Sequence, residues 1–108
     1  VPGRSNKMLE AGPISLDLET NILRCEGRKE QLTPRLVVLM KMLMENAGTV
    51  MERKELFAAV WQTEYTGDTR TLDVHISWLR EAIEESPRRP SFLKTIRGVG
   101  YRLDVLPD

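Results

Sequence analysis

At Thr33-Pro34 the spacing of apolar residues changes from a period of two to one of three and four, and it returns to two only after Pro90. Before that point Ile14, Leu16 and Leu18 alternate with Ser15, Asp17 and Glu19, the pattern of a strand with one buried face. Thr20-Asn21 and Glu26-Gly27 read as turns between strands at 22–25 and 28–32, and Met8–Glu10 adds a fourth strand. Short consecutive strands with tight turns predict an antiparallel sheet. After it, Thr33 is a helix N-cap and Pro34 the first helical residue. Leu36, Leu39, Met40, Leu43 and Ala47 recur at helical spacing, and Gly48 is a stop. Val37, Val38, Met42 and Met44 widen the apolar face, which places this helix centrally, with its methionines as core filler.

Thr49–Met51 reads as a short extended piece, and 52–61 as a second helix with Leu56, Phe57, Val60 and Trp61 on one face. A loop over 62–68 follows, then a third helix capped by Asp68 or Thr69 and running to about Glu85, stopped by Pro87 and Pro90. Phe92–Leu103 reads as strand, glycine turn and strand. The order sheet, three helices, hairpin is α+β and is how a winged helix-turn-helix reads in sequence. Residues 8–104 form one domain, between a linker or expression remnant at 1–7 (the chain starts at Val1, not Met) and a tail at 105–108.

On the third helix Leu72, Ile76, Leu79 and Ile83 fall within about 60° of one another and form the core stripe. Arg70, Val74, Ser77, Trp78 and Glu81 lie opposite, Thr71 lies near that side's edge, and His75 and Arg80 sit on the shoulders. Lysine and glutamate are what a solvated face carries; large Val74 and Trp78 are not. Arginine, hydroxyls and a methyl-bearing side chain suit the base edges and phosphates of a major groove. A surface helix with incidental residues, or one whose Trp78 folds back on the core, gives the same pattern. The hairpin Lys94–Leu103 carries Lys94, Arg97 and Arg102, with Arg97 at the tip. The tip suits a minor groove, although arginines on an edge strand also guard against aggregation. Gly98-x-Gly100 lacks the third glycine and the helix of a dinucleotide fingerprint, and is read as allowing positive backbone angles in a tight turn.

Net charge narrows the reading less than its distribution. The chain balances 16 basic against 16 acidic residues, yet residues 69–102 hold seven basic and four acidic ones. A local positive field attracts phosphates whatever the sum. The lone Cys25 forms no internal disulfide and is expected in a strand, which with the missing disulfide framework points to the cytoplasm. His75 is the only histidine, so neither a zinc site nor a catalytic triad assembles. No metal, no cofactor, no membrane span and no enzyme are expected.

Trp61, Gly67-Asp68-Thr69-Arg70-Thr71-Leu72-Asp73-Val74-His75-Ile76, Leu79-Arg80 and Thr95-Ile96-Arg97-Gly98-Val99-Gly100-Tyr101-Arg102-Leu103 together resemble the effector domain of OmpR/PhoB-type response regulators. Leu32-Thr33-Pro34 and Gly48-Thr49-Val50 match as well, and the resemblance spans about residues 8–104. It implies a four-stranded sheet, three helices and a hairpin wing, binding double-stranded DNA at direct-repeat half-sites with the third helix in the major groove and the wing in the minor groove. It implies phosphate contacts at Arg70, Thr71 and His75, a base contact at Val74, and base- or backbone-facing Ser77, Trp78 and Arg80. Thr95, Arg97 and Tyr101 match the wing contacts. Gln62, Thr63, Glu64, Tyr65, Thr66 and Gly67 match the loop that meets RNA polymerase. An N-terminal receiver domain, phosphorylated by a sensor histidine kinase, normally precedes such a domain. The sequence departs from the pattern at Trp78, where a basic residue is common, and at Leu36-Val37-Val38. Without Glu at position 36 no capping box forms, and Val38 adds apolar surface suited to another domain. The competing reading is a winged-helix module that binds protein and no DNA, favoured by the zero net charge and Trp78.

Overall fold

The computed structural model describes residues 7–64 and 67–105. Tyr65, Thr66, the residues before Lys7 and those after Val105 lie outside the described residues. β1 (Met8–Ala11), β2 (Ile14–Asp17), β3 (Ile22–Cys25) and β4 (Arg28–Gln31) form an antiparallel sheet in chain order. Ile14 pairs with Cys25 and Leu16 with Leu23, so period two puts all four side chains on one face, and all four are buried. Asn21 takes φ 60° and Glu26 φ 50° at the two expected turns. The Lys7 carbonyl also accepts from the Leu18 N–H at 2.6 Å, so the sheet's hydrogen bonding begins in the expected linker.

α1 (Pro34–Glu45) starts as expected, with Thr33 Oγ1 accepting from the Leu36 N–H at 3.3 Å and proline in the first turn. β5 (Met51–Glu52) leads into α2 (Arg53–Trp61). Glu52, expected inside this helix, caps its start with extended backbone and pairs with Gly100 instead. α3 (Arg70–Ile83) follows, then β6 (Leu93–Ile96) and β7 (Gly100–Leu103). The second sheet has the order β5-β7-β6, so the hairpin is anchored by the strand just before α2. Gly98 has φ +79°, the positive angle expected in the turn, but Gly100 is glycine for another reason. A Cβ there would lie 1.9 Å from the Met51 carbonyl oxygen, so only glycine lets β5 and β7 close.

One core joins the layers. Ile14, Leu16 and Leu23 of the sheet meet Leu39, Met40 and Leu43 of α1, Leu56 of α2, and Leu72, Ile76, Leu79 and Ile83 of α3. Leu93 and Leu103 close it from the hairpin, and none of these side chains is more than 1% exposed. Each contributes about 1.5–3 kcal/mol by leaving water. Val105, beyond the expected domain end, is buried with them.

α3 stops at Ile83, two residues short of the expected end and well before Pro87. Glu84 turns to extended backbone (φ −93°, ψ 140°) and carries its carboxylate inward, where it is 3% exposed. There it accepts from the backbone N–H groups of Ser91 (2.7 Å), Phe92 (3.0 Å) and Leu93 (2.8 Å). A buried charge is stable only when hydrogen-bonded, and these three donors lead directly into β6. Across from it, the last carbonyl of α3, Ile83 O, accepts from Arg28 Nη2 at 2.9 Å and from the Cys25 thiol at 3.5 Å. Burial pushes that thiol's pKa up and keeps it a protonated donor. Cys25 is thus the packed strand residue expected, with a helix end to hold.

Glu84→Ala leaves three backbone donors without an acceptor and is expected to destabilise the domain by about 2–4 kcal/mol, read as a lower urea midpoint. Glu84→Gln keeps one acceptor oxygen and recovers part of that loss.

Candidate nucleic-acid interface

α3 is positioned by a polar cluster at its first turn. Asp73 accepts hydrogen bonds from both terminal nitrogens of the Arg53 guanidinium, Nη1 and, at 3.0 Å, Nη2. The Tyr101 hydroxyl donates to Asp73 Oδ1, and Arg53 Nη2 also reaches Thr69 Oγ1 at 2.6 Å. One carboxylate therefore joins the start of α2, the start of α3 and the second wing strand. Burial alone would raise the Asp73 pKa, but hydrogen bonds from Arg53 and Tyr101, with the Arg53 charge, more than offset it and hold it below 3.8. Burial first, then the hydrogen bond to Asp73, pushes the Tyr101 phenol up to about 12.

A second fastening lies further along α3. Arg80 Nε and Nη2 both donate to the Leu93 carbonyl (3.0 and 2.9 Å), Nη2 also reaches Thr95 Oγ1 (2.7 Å), and the guanidinium lies 5.8 Å from the Tyr101 ring centre. Three residues expected to touch DNA thus have partners inside the protein. Arg80 and Thr95 tie β6 to α3, and Tyr101 is buried with its hydroxyl on Asp73. The missed residue is Arg53. Its one signal is that Asp73 lies on the flank of α3 between core and outer face, where a carboxylate can meet a cation from a neighbouring element.

The outer face is open as expected. Val74 is 46% and Trp78 49% exposed, and Arg70, Thr71 and Ser77 are exposed beside them. His75 Nδ1 lies 2.9 Å from the Thr71 carbonyl, which only accepts, so Nδ1 carries the proton and Nε2 stays available. The His75 ring sits between two indoles, edge-on to Trp61 and tilted against Trp78, each 4.9 Å away between centres. Trp61 in turn stacks on Phe57. Trp78 does not fold back on the core, and besides touching His75 it lines a groove with Glu30, Gln31, Leu32, Leu36, Glu81 and Ala82.

In the wing, Lys94 and Arg102 both lie against Asp104, at 3.6 and 2.7 Å, which mutes their charges. Arg97, at the turn, is exposed and has no ion-pair partner among the described residues. Asp68 caps α3 through its carboxylate, which accepts from the Arg70 N–H at 3.1 Å, while Thr69 stands at the cap position and its hydroxyl accepts from Arg53. Gln62 ends α2 in left-handed backbone (φ 52°, ψ 53°); of the loop residues expected to meet a polymerase, Gln62, Glu64 and Gly67 are exposed and Thr63 is half-buried.

The lowered pKa of Asp73 fixes the sign of a pH effect. A depressed carboxylate contributes stability above its unfolded pKa, and loses it as pH falls through the folded value. Asp73→Asn is therefore expected to be less stable than the native chain by about 1–2 kcal/mol at pH 7, a modest value because the site is partly exposed. The gap should close below pH 3.8, when denaturation is followed across pH. In a phenolate absorbance titration Tyr101→Phe should remove a step near pH 12, and Asp73→Asn should move that step towards 10.

Residues 27–103 match the family described as transcriptional regulatory protein, C terminal. The chain is 42% identical over 102 residues to the sensory transduction protein RegX3 of Mycolicibacterium smegmatis, covering 94% of this chain and 45% of that protein. It is 46% identical over 74 residues to the alkaline phosphatase synthesis transcriptional regulatory protein PhoP of Bacillus subtilis, covering 68% of this chain and 31% of that one. The chain spans about half or less of the length of the curated relatives it matches. Among solved structures, the response regulator DrrB of Thermotoga maritima, an OmpR/PhoB homolog, superposes with a TM-score of 0.76 at 32% identity, covering 91% of this chain and 44% of that one. The Klebsiella pneumoniae RstA DNA-binding domain, solved in complex with the RstA box, gives 0.79 at 26% identity, covering 93% and 99%. With the wing fastened to the third helix and the family pattern running from the first sheet to the end of the hairpin, the chain belongs to the transcriptional regulatory C-terminal family as a winged helix-turn-helix DNA-binding domain of the OmpR/PhoB type, a binding and not a catalytic domain.

Proposed function

We propose that the domain grips double-stranded DNA with α3 in the major groove and the Arg97 wing tip in the adjacent minor groove. The observation that carries this reading is the fastening of the two parts. Arg80 holds β6 to α3, and Asp73 holds β7 to the same helix, so the exposed face of α3 and the exposed tip of the wing form one rigid tool. Arg70, Thr71, Val74, His75, Ser77 and Trp78 face the duplex. Arg80, Thr95 and Tyr101 act from behind, by holding that surface in place. The RstA domain, which has this fold, was solved in complex with its DNA box, and this supports DNA as the ligand.

Two copies bind head to tail on a direct repeat with half-sites about 10–11 base pairs apart. The segment 62–67 touches RNA polymerase. In the longer protein that the relatives' lengths point to, a receiver domain phosphorylated by a sensor histidine kinase precedes this one and governs its loading, in the cytoplasm. No helix among the described residues is long and apolar enough to cross a membrane.

A duplex selected from random DNA by the purified domain tests this. Arg97→Ala should weaken binding and lower the salt slope by about one unit, since an exposed guanidinium at the tip displaces counterions. An unchanged slope would remove the wing from the interface. Val74 should read a thymine methyl: thymine-to-uracil replacement at one or two positions should weaken native binding, and Val74→Ala should abolish that sensitivity while Arg97→Ala leaves it intact. Indifference of the native domain to every uracil would rule out apolar readout.

A further inference from the structure

The resemblance implies a phosphate contact at Arg70, but the local geometry points to a different role, in which Asp68 and Arg70 form a guanine-reading pair. The aspartate positions the arginine, and the arginine reads the base. This inference rests on the proposed DNA docking and assigns a base-specific role within it. The Asp68 carboxylate takes one whole edge of the guanidinium. Arg70 Nε lies 3.0 Å from Oδ1 and 3.2 Å from Oδ2, and Nη2 lies 2.7 Å from Oδ2. Oδ1 also accepts the Arg70 backbone N–H, so the same carboxylate is fixed to the first residue of the helix. The hydrogen bond from the Arg70 side chain, then the one from its backbone, lowers the Asp68 pKa to about 2, which keeps the acceptor charged throughout the neutral range.

A guanidinium carries five N–H bonds in a fixed fork. With the Nε–H and one Nη2–H engaged, the far edge keeps two parallel donors, one on Nη1 and one on Nη2. Among the described residues no protein atom accepts from Nη1, and the side chain is 88% exposed. Two parallel donors match the O6 and N7 acceptors on the major-groove edge of guanine. The position agrees: Arg70 is the first residue of α3, on the side opposite Leu72 and Ile76, and N-terminal residues of recognition helices meet base edges. Arg80, the other arginine of α3, already gives its fork to Leu93 and Thr95.

Charge decides between base and phosphate. A carboxylate in contact cancels most of the attraction of the guanidinium for a phosphate, and itself repels one. Guanine acceptors are neutral, so the pair loses little there, and a pre-set fork has less freedom to give up.

The test uses the selected duplex with each guanine replaced in turn by 7-deazaguanine, which lacks N7, and each phosphate in turn by a neutral methylphosphonate. At one guanine per half-site the native domain should lose about tenfold in affinity. Arg70→Ala should already have lost that affinity and show no further loss at this guanine, with its salt slope nearly unchanged. Asp68→Asn, which keeps a capping oxygen, should bind with a steeper slope and several-fold less preference for guanine over 7-deazaguanine. Thermal melting of both variants establishes that they are folded. Coupling of Arg70 to a methylphosphonate in place of a guanine, with a slope lower by about one in Arg70→Ala, would overturn the assignment and make Arg70 a phosphate anchor. Native binding without any coupling of Arg70 to a guanine overturns this inference alone. Failure of the native domain to bind any duplex overturns it together with the proposed docking.

Discussion

A single carboxylate, that of Asp73, holds three elements that the core alone leaves free to shift. Apolar packing is non-directional: Leu72, Ile76 and Leu79 would tolerate a small rotation of α3 about its axis. The Arg53 fork and the Tyr101 hydroxyl are directional, and both end on Asp73. Gly100 lets β7 come close enough to Met51 for this to happen, and Arg53 is the second residue beyond that contact. The hairpin, the second helix and the third are therefore oriented by one short stretch of chain. The outward position of Val74, one residue after Asp73, follows from the inward bonding of Asp73 itself.

The sheet, the helices and the hairpin were legible because each rests on periodicity or on turn chemistry that sequence carries locally. Ile14, Leu16, Leu23 and Cys25 alternate, Leu72, Ile76, Leu79 and Ile83 recur at helical spacing, and Thr33-Pro34 marks its own helix start. The end of α3 was not legible. Proline is a local stop signal, but the helix ends earlier, because Glu84 leaves it to meet the N–H groups of residues 91–93. Such a partner, seven to nine residues away across a loop, leaves no periodic trace.

The site divides in the same way. Exposure of Val74, Trp78 and Arg70 follows from counting around a helix, and the structure leaves those residues open. Arg80, Thr95 and Tyr101 look identical in sequence to residues that touch a ligand, since arginine, threonine and tyrosine suit either role. The distances to Leu93 O, Thr95 Oγ1 and Asp73 show that each of them is also bonded within the frame. Gly100 is a similar case: glycine at a turn suggests backbone freedom, whereas here the requirement is room for the Met51 carbonyl.

α3 is held at both ends. Asp73 and the Asp68 cap secure its first turn, and Arg28 and Cys25 secure its last carbonyl from the sheet. A helix clamped in this way has little room to slide or roll when it meets an imperfect surface. The mismatch is then absorbed by the softer partner. Duplex DNA bends and changes groove width at an energetic cost that depends on its base steps, even where no side chain touches them. In the docking proposed above, a stiff reading head would turn the flexibility of the untouched base pairs into part of the recognised sequence.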